Sequence, residues 1–61
     1  MFKVGQRVRV TEVDFEWWGD LGTVVKAFPE TDDVSEHYYV SLDPNGAEFF
    51  LFANELEEVS A

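Results

Sequence analysis

Apolar and polar residues alternate in the first part of the chain, over residues 4–11. Val8 and Val10 fall on one face of this segment, whereas Arg7 and Arg9 fall on the other. A period of two is the pattern of a half-buried β-strand. The pattern therefore predicts a first strand whose valines face the core and whose arginines face solvent.

Three later segments are rich in β-branched and aromatic residues and are separated by turn-forming residues, as in an all-β domain. They predict strands over 21–28, 38–42 and 47–52. Pro29 ends the second strand, because proline has no N–H to donate to a β-ladder. Gly22, near the start of that strand, is typical of a β-bulge or of a close approach between backbones.

The tetrapeptide "DPNG", residues 43–46, predicts a tight hairpin between the third and fourth strands. Pro44 favours position i+1 of a type I turn, Asp43 is expected to cap the turn, and Gly46 favours its exit.

The last segment has the pattern of one helical turn followed by one more strand. Asn54 and Glu57 are spaced like a capping box, which predicts a helical or 3₁₀ turn before a strand at 57–59. Five short strands in this order predict an all-β, five-stranded SH3-like small barrel, whose closure removes exposed sheet edges. Residues 1–61 are too few for two domains. The predicted core is Val8, Val10, Leu21, Val24, Tyr38, Val40, Leu42, Phe50, Phe52, Leu56 and Val59.

The composition is that of a folded protein with a large excess of acid. The chain is 46% hydrophobic, which is too apolar for disorder despite a net charge of −9. Four basic residues against thirteen acidic ones disfavour nucleic-acid binding, which needs Lys and Arg to displace counterions. The same charge suits a basic protein partner, or simply keeps the chain in solution. With no cysteine, no apolar run of membrane-spanning length and no signal-peptide pattern, we expect a cytoplasmic protein.

Residues suited to catalysis or cofactor binding are sparse. None of the six Ser and Thr residues lies in a nucleophile motif, and the one histidine, His37, is expected to be an ordinary surface or strand-edge residue. The acidic segment 29–37 lacks the spacing and central glycine of an EF-hand, which favours a solvated loop over a calcium site. We therefore expect no enzyme activity, no metal site and no cofactor.

The stretch "DFEWWGD", residues 14–20, places three aromatic side chains among acidic residues. Because adjacent residues of an extended segment face opposite ways, Trp17 and Trp18 are not both expected to pack on the barrel. One is predicted to cover the end of the core and the other to contact a partner, since Trp is enriched among residues that dominate interface energies. In the alternative interpretation, Phe15 and both tryptophans all belong to the core or its lid.

The acidic residues of this stretch and aromatic residues of a neighbouring groove complete the predicted site. Carboxylates beside a tryptophan would steer and hold a basic or Arg-containing ligand. Tyr39 and Phe49 are expected to line the groove because they alternate with predicted core residues. The predicted partner-binding residues are Asp14, Phe15, Glu16, Trp17, Trp18, Asp20, Tyr39 and Phe49.

The order of motifs resembles that of small accessory subunits of photosynthetic complexes. "VGQRVRV", an aromatic pair before "GDLGTVVKA", then "YYVSLD" and a terminal "FLFANELEEV" are similar to the E-type stromal subunit of photosystem I. The ferredoxin-docking subunit of the photosynthetic NDH complex and KOW-type barrels have a similar plan. The resemblance covers nearly the whole chain and implies an SH3-like barrel that acts as an accessory subunit. Those subunits present basic residues to acidic ferredoxin, whereas this chain has only four, so ferredoxin docking is not carried over.

The sequence leaves several functions open. The main hypothesis is a non-catalytic interaction module or accessory subunit that binds a basic protein or peptide. A second is an acidic regulator or inhibitor that occupies the nucleic-acid-binding site of a partner. Direct contact with RNA or the ribosome would require Arg7, Arg9 and Lys26 to form one patch. Exposed aromatic residues would also suit a homodimer.

Overall fold

Five short β-strands form the framework of the protein. The computed structural model describes residues 2–59. One 3₁₀ turn, Ala53–Glu55, separates the last two strands. The predicted all-β class, the five strands and the single 3₁₀ turn are therefore confirmed. The strands are β1 (Arg7–Val10), β2 (Leu21–Phe28), β3 (His37–Leu42), β4 (Glu48–Phe52) and β5 (Leu56–Glu58).

All five strands belong to one antiparallel sheet of order β4-β3-β2-β1-β5. The β1–β5 ladder places Val8 opposite Glu58 and Val10 opposite Leu56. Within residues 2–59, no ladder joins β4 to β5, so these two strands are the sheet edges. The strand order and the 3₁₀ turn fit a small barrel, but the predicted closure, which would have removed both edges, is incomplete.

The first strand is shorter than the one predicted over 4–11. Gly5 has a φ of +91°, a left-handed conformation that does not continue a strand. The Gly5 N–H donates to the Val24 carbonyl at 2.8 Å, and the Val24 N–H donates to the Gln6 carbonyl at 3.0 Å. The segment before β1 is therefore held against β2 as a turn.

The core consists of aliphatic side chains and one tyrosine on the inner face of the sheet. The Tyr38 hydroxyl accepts a hydrogen bond from the Phe2 N–H at 3.0 Å and donates one to the Glu36 carboxylate. Burial, and then the hydrogen bond to Glu36, raise the pKa of Tyr38 above its ordinary value. The buried apolar residues are Val8, Val10, Val24, Tyr38, Val40, Leu42, Leu51 and Leu56.

Four predicted core residues are not buried, and one apolar side chain of the core, Leu51, was not predicted. Leu21 and Val59 are only half-buried. Phe50 and Phe52 are 47% and 37% exposed, and Leu51 is buried between them. The predicted phase of β4 was therefore wrong by one residue, and in a strand such a shift exchanges the two faces.

The hairpin between β3 and β4 explains the observed phase. The four-residue loop 43–46 closes with the Leu42 N–H donating to the Ala47 carbonyl at 2.9 Å. Continuing the antiparallel register from this pair brings Phe49 and Leu51 to the inner face of the sheet. The length of the turn thus determines which aromatic residues of β4 face solvent.

The roles predicted for the turn residues are partly confirmed. Gly46 has a φ of +70°, the left-handed conformation that favours glycine at the exit. Asp43 was expected to cap the turn, but its carboxylate accepts two hydrogen bonds from Arg7, at 2.8 and 2.5 Å. Asn45 holds the turn instead, because its Oδ1 accepts a hydrogen bond from the Ala47 N–H at 3.0 Å.

The predicted capping pair of Asn54 and Glu57 is replaced by a contact two residues earlier in the chain. The Glu55 carboxylate accepts a hydrogen bond from the Phe52 N–H at 2.7 Å. The turn consequently ends early enough for β5 to begin at Leu56 rather than at the predicted residue 57.

Gly22 lies where two strands approach closely, as predicted. A Cβ atom on Gly22 would lie 2.7 Å from the Ser41 carbonyl oxygen and 2.7 Å from Cγ1 of Val40. The irregularity in β2 is a separate feature, because the register with β3 shifts further along, between Val24 and Lys26.

Candidate functional site

Residues 12–20, here called the aromatic loop, form a compact turn at the end of β1. Backbone hydrogen bonds of 2.9–3.1 Å, each spanning three residues, fold the chain between Glu12 and Asp20. The end of the loop is tied back to Val10, which accepts a hydrogen bond from the Gly19 N–H at 2.8 Å and donates one to the Asp20 carbonyl at 3.0 Å. The backbone of the loop is therefore fixed before any partner binds.

The two adjacent tryptophans lie in different environments. Trp17 is half-buried, and its ring stacks on Phe49 with the centroids 3.9 Å apart. Phe15 packs edge-on against Trp17 at 5.8 Å. Trp18 is 60% exposed. The burial predicted for the pair is observed, with Trp17 as the residue that covers the core and Trp18 as the exposed one.

The predicted site residues fall into separate groups. Phe15, Trp17 and Phe49 pack together against the core as a lid. The expectation that Phe49 lies opposite the core is wrong, because it depended on the phase of β4. Tyr39 does lie on the opposite face and is 37% exposed. Tyr39 contacts the rings of Phe28 and Phe50 and does not belong to the lid.

The acidic residues of the aromatic loop are available to a partner. Asp14 and Glu16 are exposed and Asp20 is half-buried. No Lys or Arg among residues 2–59 forms an ion pair with any of the three. Their negative charges are therefore not neutralised by the described part of the chain.

An open groove of about 520 Å³ begins where the aromatic loop leaves β1, and we call it the acidic groove. Its walls come from that loop, from the β2–β3 connection and from the 3₁₀ turn. Four glutamates line it, so it suits a cationic group better than an anionic one. Its lining residues are Glu12, Glu30, Ser35, Glu36, Phe52, Ala53, Asn54 and Glu55.

The outer face of β2, β3 and β4 carries a cluster of rings that was not predicted from the sequence. His37 lies at its centre, stacked on Phe28 with centroids 4.7 Å apart and on Phe50 at 4.6 Å. Tyr39 pairs with Phe50 across the strands, and His37 pairs with Phe52. We call this cluster the outer aromatic face; its residues are Phe28, His37, Tyr39, Phe50 and Phe52.

His37, predicted to be an ordinary surface or strand-edge residue, is the first residue of β3 and lies on the outer face of the sheet. The residue is half-buried by the neighbouring rings, and its Nδ1 lies 2.8 Å from the Ser35 carbonyl oxygen. This contact fixes the plane of the imidazole within the outer aromatic face.

A signal for the outer aromatic face was present in the sequence. Tyr38, Val40 and Leu42 were predicted to face the core, and "DPNG" was predicted to form the turn. Counting across a four-residue turn from Leu42 brings residues 47, 49 and 51 to the core side, leaving 48, 50 and 52 outside. The register of the hairpin was thus more informative than the hydrophobicity of "EFFLF", which has no alternation.

The charges are distributed unevenly along the chain. Arg7 pairs with Asp43, and Arg9 pairs with Glu57 at 3.3 Å. These contacts turn the first-strand arginines towards carboxylates, which disfavours the single basic patch that RNA contact would require.

After Lys26 the sequence has no Lys or Arg and nine carboxylates: Glu30, Asp32, Asp33, Glu36, Asp43, Glu48, Glu55, Glu57 and Glu58.

Other kinds of site are absent from the described chain. Among residues 2–59, no group of three or more His, Asp or Glu side chains is arranged to hold a metal ion. No helix within the same residues is long and apolar enough to cross a membrane. Comparison with protein-family models, with curated proteins and with solved structures found no match, so the family resemblance stays a prediction.

Proposed function

We propose that this protein is a non-catalytic interaction module, an accessory subunit or adaptor, that binds a basic protein face or peptide. One observation carries the proposal: Trp18 is 60% exposed on a loop whose backbone is already fixed. An ordered, exposed tryptophan loses little conformational entropy when a partner covers it. Tryptophan is also among the residues that most often dominate binding energy.

The charge around Trp18 supports a basic partner. Asp14 and Glu16 flank the tryptophan in the aromatic loop and are exposed. The acidic groove adds further carboxylates, beginning with Glu12 at the start of the same loop. Carboxylates at the rim of an interface accelerate association with a basic surface and exclude acidic competitors.

The lid residues support the site rather than forming its contact surface. Trp17 stacks on Phe49, and Phe15 packs against Trp17, so the turn that presents Trp18 is anchored to the core. Of the residues predicted for partner binding, Asp14, Glu16, Trp18 and Asp20 therefore form the proposed contact, with Phe15, Trp17 and Phe49 positioning it.

The test is affinity capture of partners from lysate of the source organism, followed by titration of the captured protein against variants. We expect Trp18→Ala to weaken binding by about ten-fold or more, as for a dominant interface residue. Val34→Ala is the matched control, because Val34 is also an exposed apolar residue but lies in the β2–β3 connection. Glu16→Gln is expected to slow association and to reduce its dependence on salt.

Equal affinities of the wild type and Trp18→Ala would reject the aromatic loop as the site. Capture of a partner that is not basic would reject the proposed partner class.

A second candidate function follows from the charge asymmetry. After residue 26 the chain has nine carboxylates and no Lys or Arg, so this part has the same sign of charge as a nucleic-acid backbone. The protein would then act as a regulator or inhibitor that occupies the nucleic-acid site of its partner. Competition between this protein and nucleic acid for the captured partner would favour inhibition, whereas simultaneous binding would favour an adaptor.

A further inference from the structure

β4 is an edge strand, so half of its backbone N–H and carbonyl groups point away from β3, in the plane of the sheet. The Leu42 N–H donates to the Ala47 carbonyl, and the Ala53 N–H donates to the Glu36 carbonyl at 3.2 Å. In an antiparallel pair, residues whose N–H and carbonyl groups bond to the partner strand alternate with residues whose N–H and carbonyl groups point away from it. The residues of β4 that bond to β3 are therefore 49 and 51.

The residues of β4 whose backbone groups point to the free edge are Glu48, Phe50 and Phe52. The Phe52 N–H is already bound by the Glu55 carboxylate at 2.7 Å. Within residues 2–59, the N–H and carbonyl groups of Glu48 and Phe50 have no backbone partner, because β4 pairs only with β3. Two consecutive outward positions thus offer a donor and an acceptor each.

The edge has one charged residue, Glu48, but lacks several other features by which proteins usually prevent strand addition. β4 is "EFFLF", without a proline, a lysine or an irregularity in its register. The side chains of Phe50 and Phe52 also belong to the exposed outer aromatic face. An added strand would therefore find both free backbone groups and an apolar surface.

The charge around this edge selects among possible occupants. β3, β4, the 3₁₀ turn and β5 contain no Lys or Arg. Glu48 lies on β4 itself, and Glu55 lies just beyond its end. A second copy would bring two acidic halves together, and a nucleic acid would add phosphates to them. Both are opposed by repulsion, whereas a basic segment is attracted.

We propose that an extended, basic segment of a protein partner adds to the sheet as a sixth strand alongside β4. Its backbone pairs with the N–H and carbonyl groups of Glu48 and Phe50. An Arg or Lys on its outer side lies beside the Phe50 ring, where a cation is attracted to the π-face, and within reach of Glu48. The inference shares its basic partner with the proposed function but assigns that partner a different surface.

The probe is a synthetic peptide, acetyl-Arg-Val-Arg-Val-Arg-Val-amide, added to isotope-labelled full-length protein. Amide hydrogen exchange is followed by NMR for each residue of β4. We expect near-saturating peptide to slow exchange at Glu48 and Phe50 by about ten-fold. Exchange at Phe49 and Leu51 should change little, because their N–H groups already bond to β3.

The matched control peptide is acetyl-Arg-Pro-Arg-Pro-Arg-Pro-amide. It has the same charge, but alternate residues lack an N–H and cannot pair in a ladder. It should leave exchange at Glu48 and Phe50 unchanged. Equal protection by both peptides would overturn strand addition, and so would binding of the valine peptide without protection at these residues. No binding at millimolar concentration would overturn it too.

Two protein variants separate the backbone contribution from the ring. Phe50→Pro removes an N–H that does not bond to β3, whereas Phe50→Ala removes the same ring and keeps the N–H. We expect the proline variant, once shown to be folded by circular dichroism, to bind the valine peptide about five-fold or more weakly than the alanine variant. Equal binding would contradict the proposal.

The same experiment distinguishes this inference from the proposed function. If Trp18→Ala leaves the protection at Glu48 and Phe50 intact, strand addition is independent of the aromatic loop. If the peptide instead shifts only resonances of the aromatic loop and the acidic groove, the proposed function stands and strand addition is rejected. Protection that rises with protein concentration, without peptide, would identify a second copy as the occupant and overturn the basic-segment proposal.

Discussion

The indole ring of Trp17 lies on the phenyl ring of Phe49, with the centroids 3.9 Å apart and the planes inclined by 36°. Phe49 belongs to β4 and pairs with Val40 of β3. The stack therefore ties the aromatic loop, which follows β1, to the opposite edge of the sheet. Trp18, the next residue, is absent from this stack and is largely exposed. The two neighbouring tryptophans are thus divided between the lid and the exposed surface.

This division predicts unequal effects of two alanine substitutions. Trp17→Ala should lower the free energy of unfolding by about 2–3 kcal/mol, somewhat less than for a fully buried tryptophan. Trp18→Ala should change it by no more than about 0.5 kcal/mol, as for most surface residues. Urea unfolding followed by far-ultraviolet circular dichroism measures both. Equal losses of stability would mean that both rings belong to the lid.

The sequence predicted that one tryptophan is packed and the other exposed, but not which of the two is exposed. Alternation along a strand places neighbours on opposite faces without saying which face is the inner one. The choice is made by the hydrogen bonds that fold the aromatic loop and by the position of Phe49. Both depend on contacts between residues distant in sequence, which local patterns do not contain.

The corrected phase of β4 gives a second prediction. Leu51→Ala should destabilise the protein by about 2–4 kcal/mol, because Leu51 is 1% exposed in the core. Phe50→Ser should cost less than about 1 kcal/mol, because the larger Phe50 side chain is 47% exposed on the outer face. Thermal and urea unfolding of the two variants provide the comparison. A larger loss for Phe50→Ser would restore the phase that the hydrophobic pattern predicted.

The phase of β4 could not be read from hydrophobicity, since four of its five residues are apolar. The bounds of β2 and β3 were predicted to within one residue, and β2 ends before Pro29 as expected. For β4 the information lay in the length of the preceding turn. The outer aromatic face was harder to predict than the fold, because Phe50 and Phe52 join it only through that register.

The close approach at Gly22 gives a third prediction. Gly22→Ala should destabilise the protein by about 1–3 kcal/mol, because its Cβ would lie 2.7 Å from a backbone oxygen that cannot move without disturbing β3. Lys26→Ala is the control, since Lys26 is exposed on the same strand and should change stability by less than about 0.5 kcal/mol. Urea midpoints that agree for the two variants would show that β2 and β3 tolerate a wider separation here.

The ion pair between Arg7 and Asp43 gives a prediction about pH. Its two hydrogen bonds, before the smaller charge effect, hold the pKa of the Asp43 carboxyl below its ordinary value of 3.8. A carboxyl whose pKa is lowered by folding stabilises the folded state above its unfolded pKa. That contribution is lost as the pH falls through the lowered, folded-state pKa. The pair is exposed, so the effect on stability is expected to be small.

Titration of the Asp43 carboxyl carbon by NMR checks this directly. In Arg7→Gln the pKa of Asp43 should rise towards 3.8, because the largest cause of its lowering has been removed. Arg9→Gln is the control. Arg9 pairs with Glu57 of β5, whereas Arg7 reaches Asp43 on the β2 side of β1, so this substitution should leave the pKa of Asp43 unchanged. Asp43→Asn should be less stable than the wild type at neutral pH, and the difference should shrink as the pH falls below 3.8. An identical pKa for Asp43 with and without Arg7 would show that solvent, rather than this pair, determines the charge of the carboxyl.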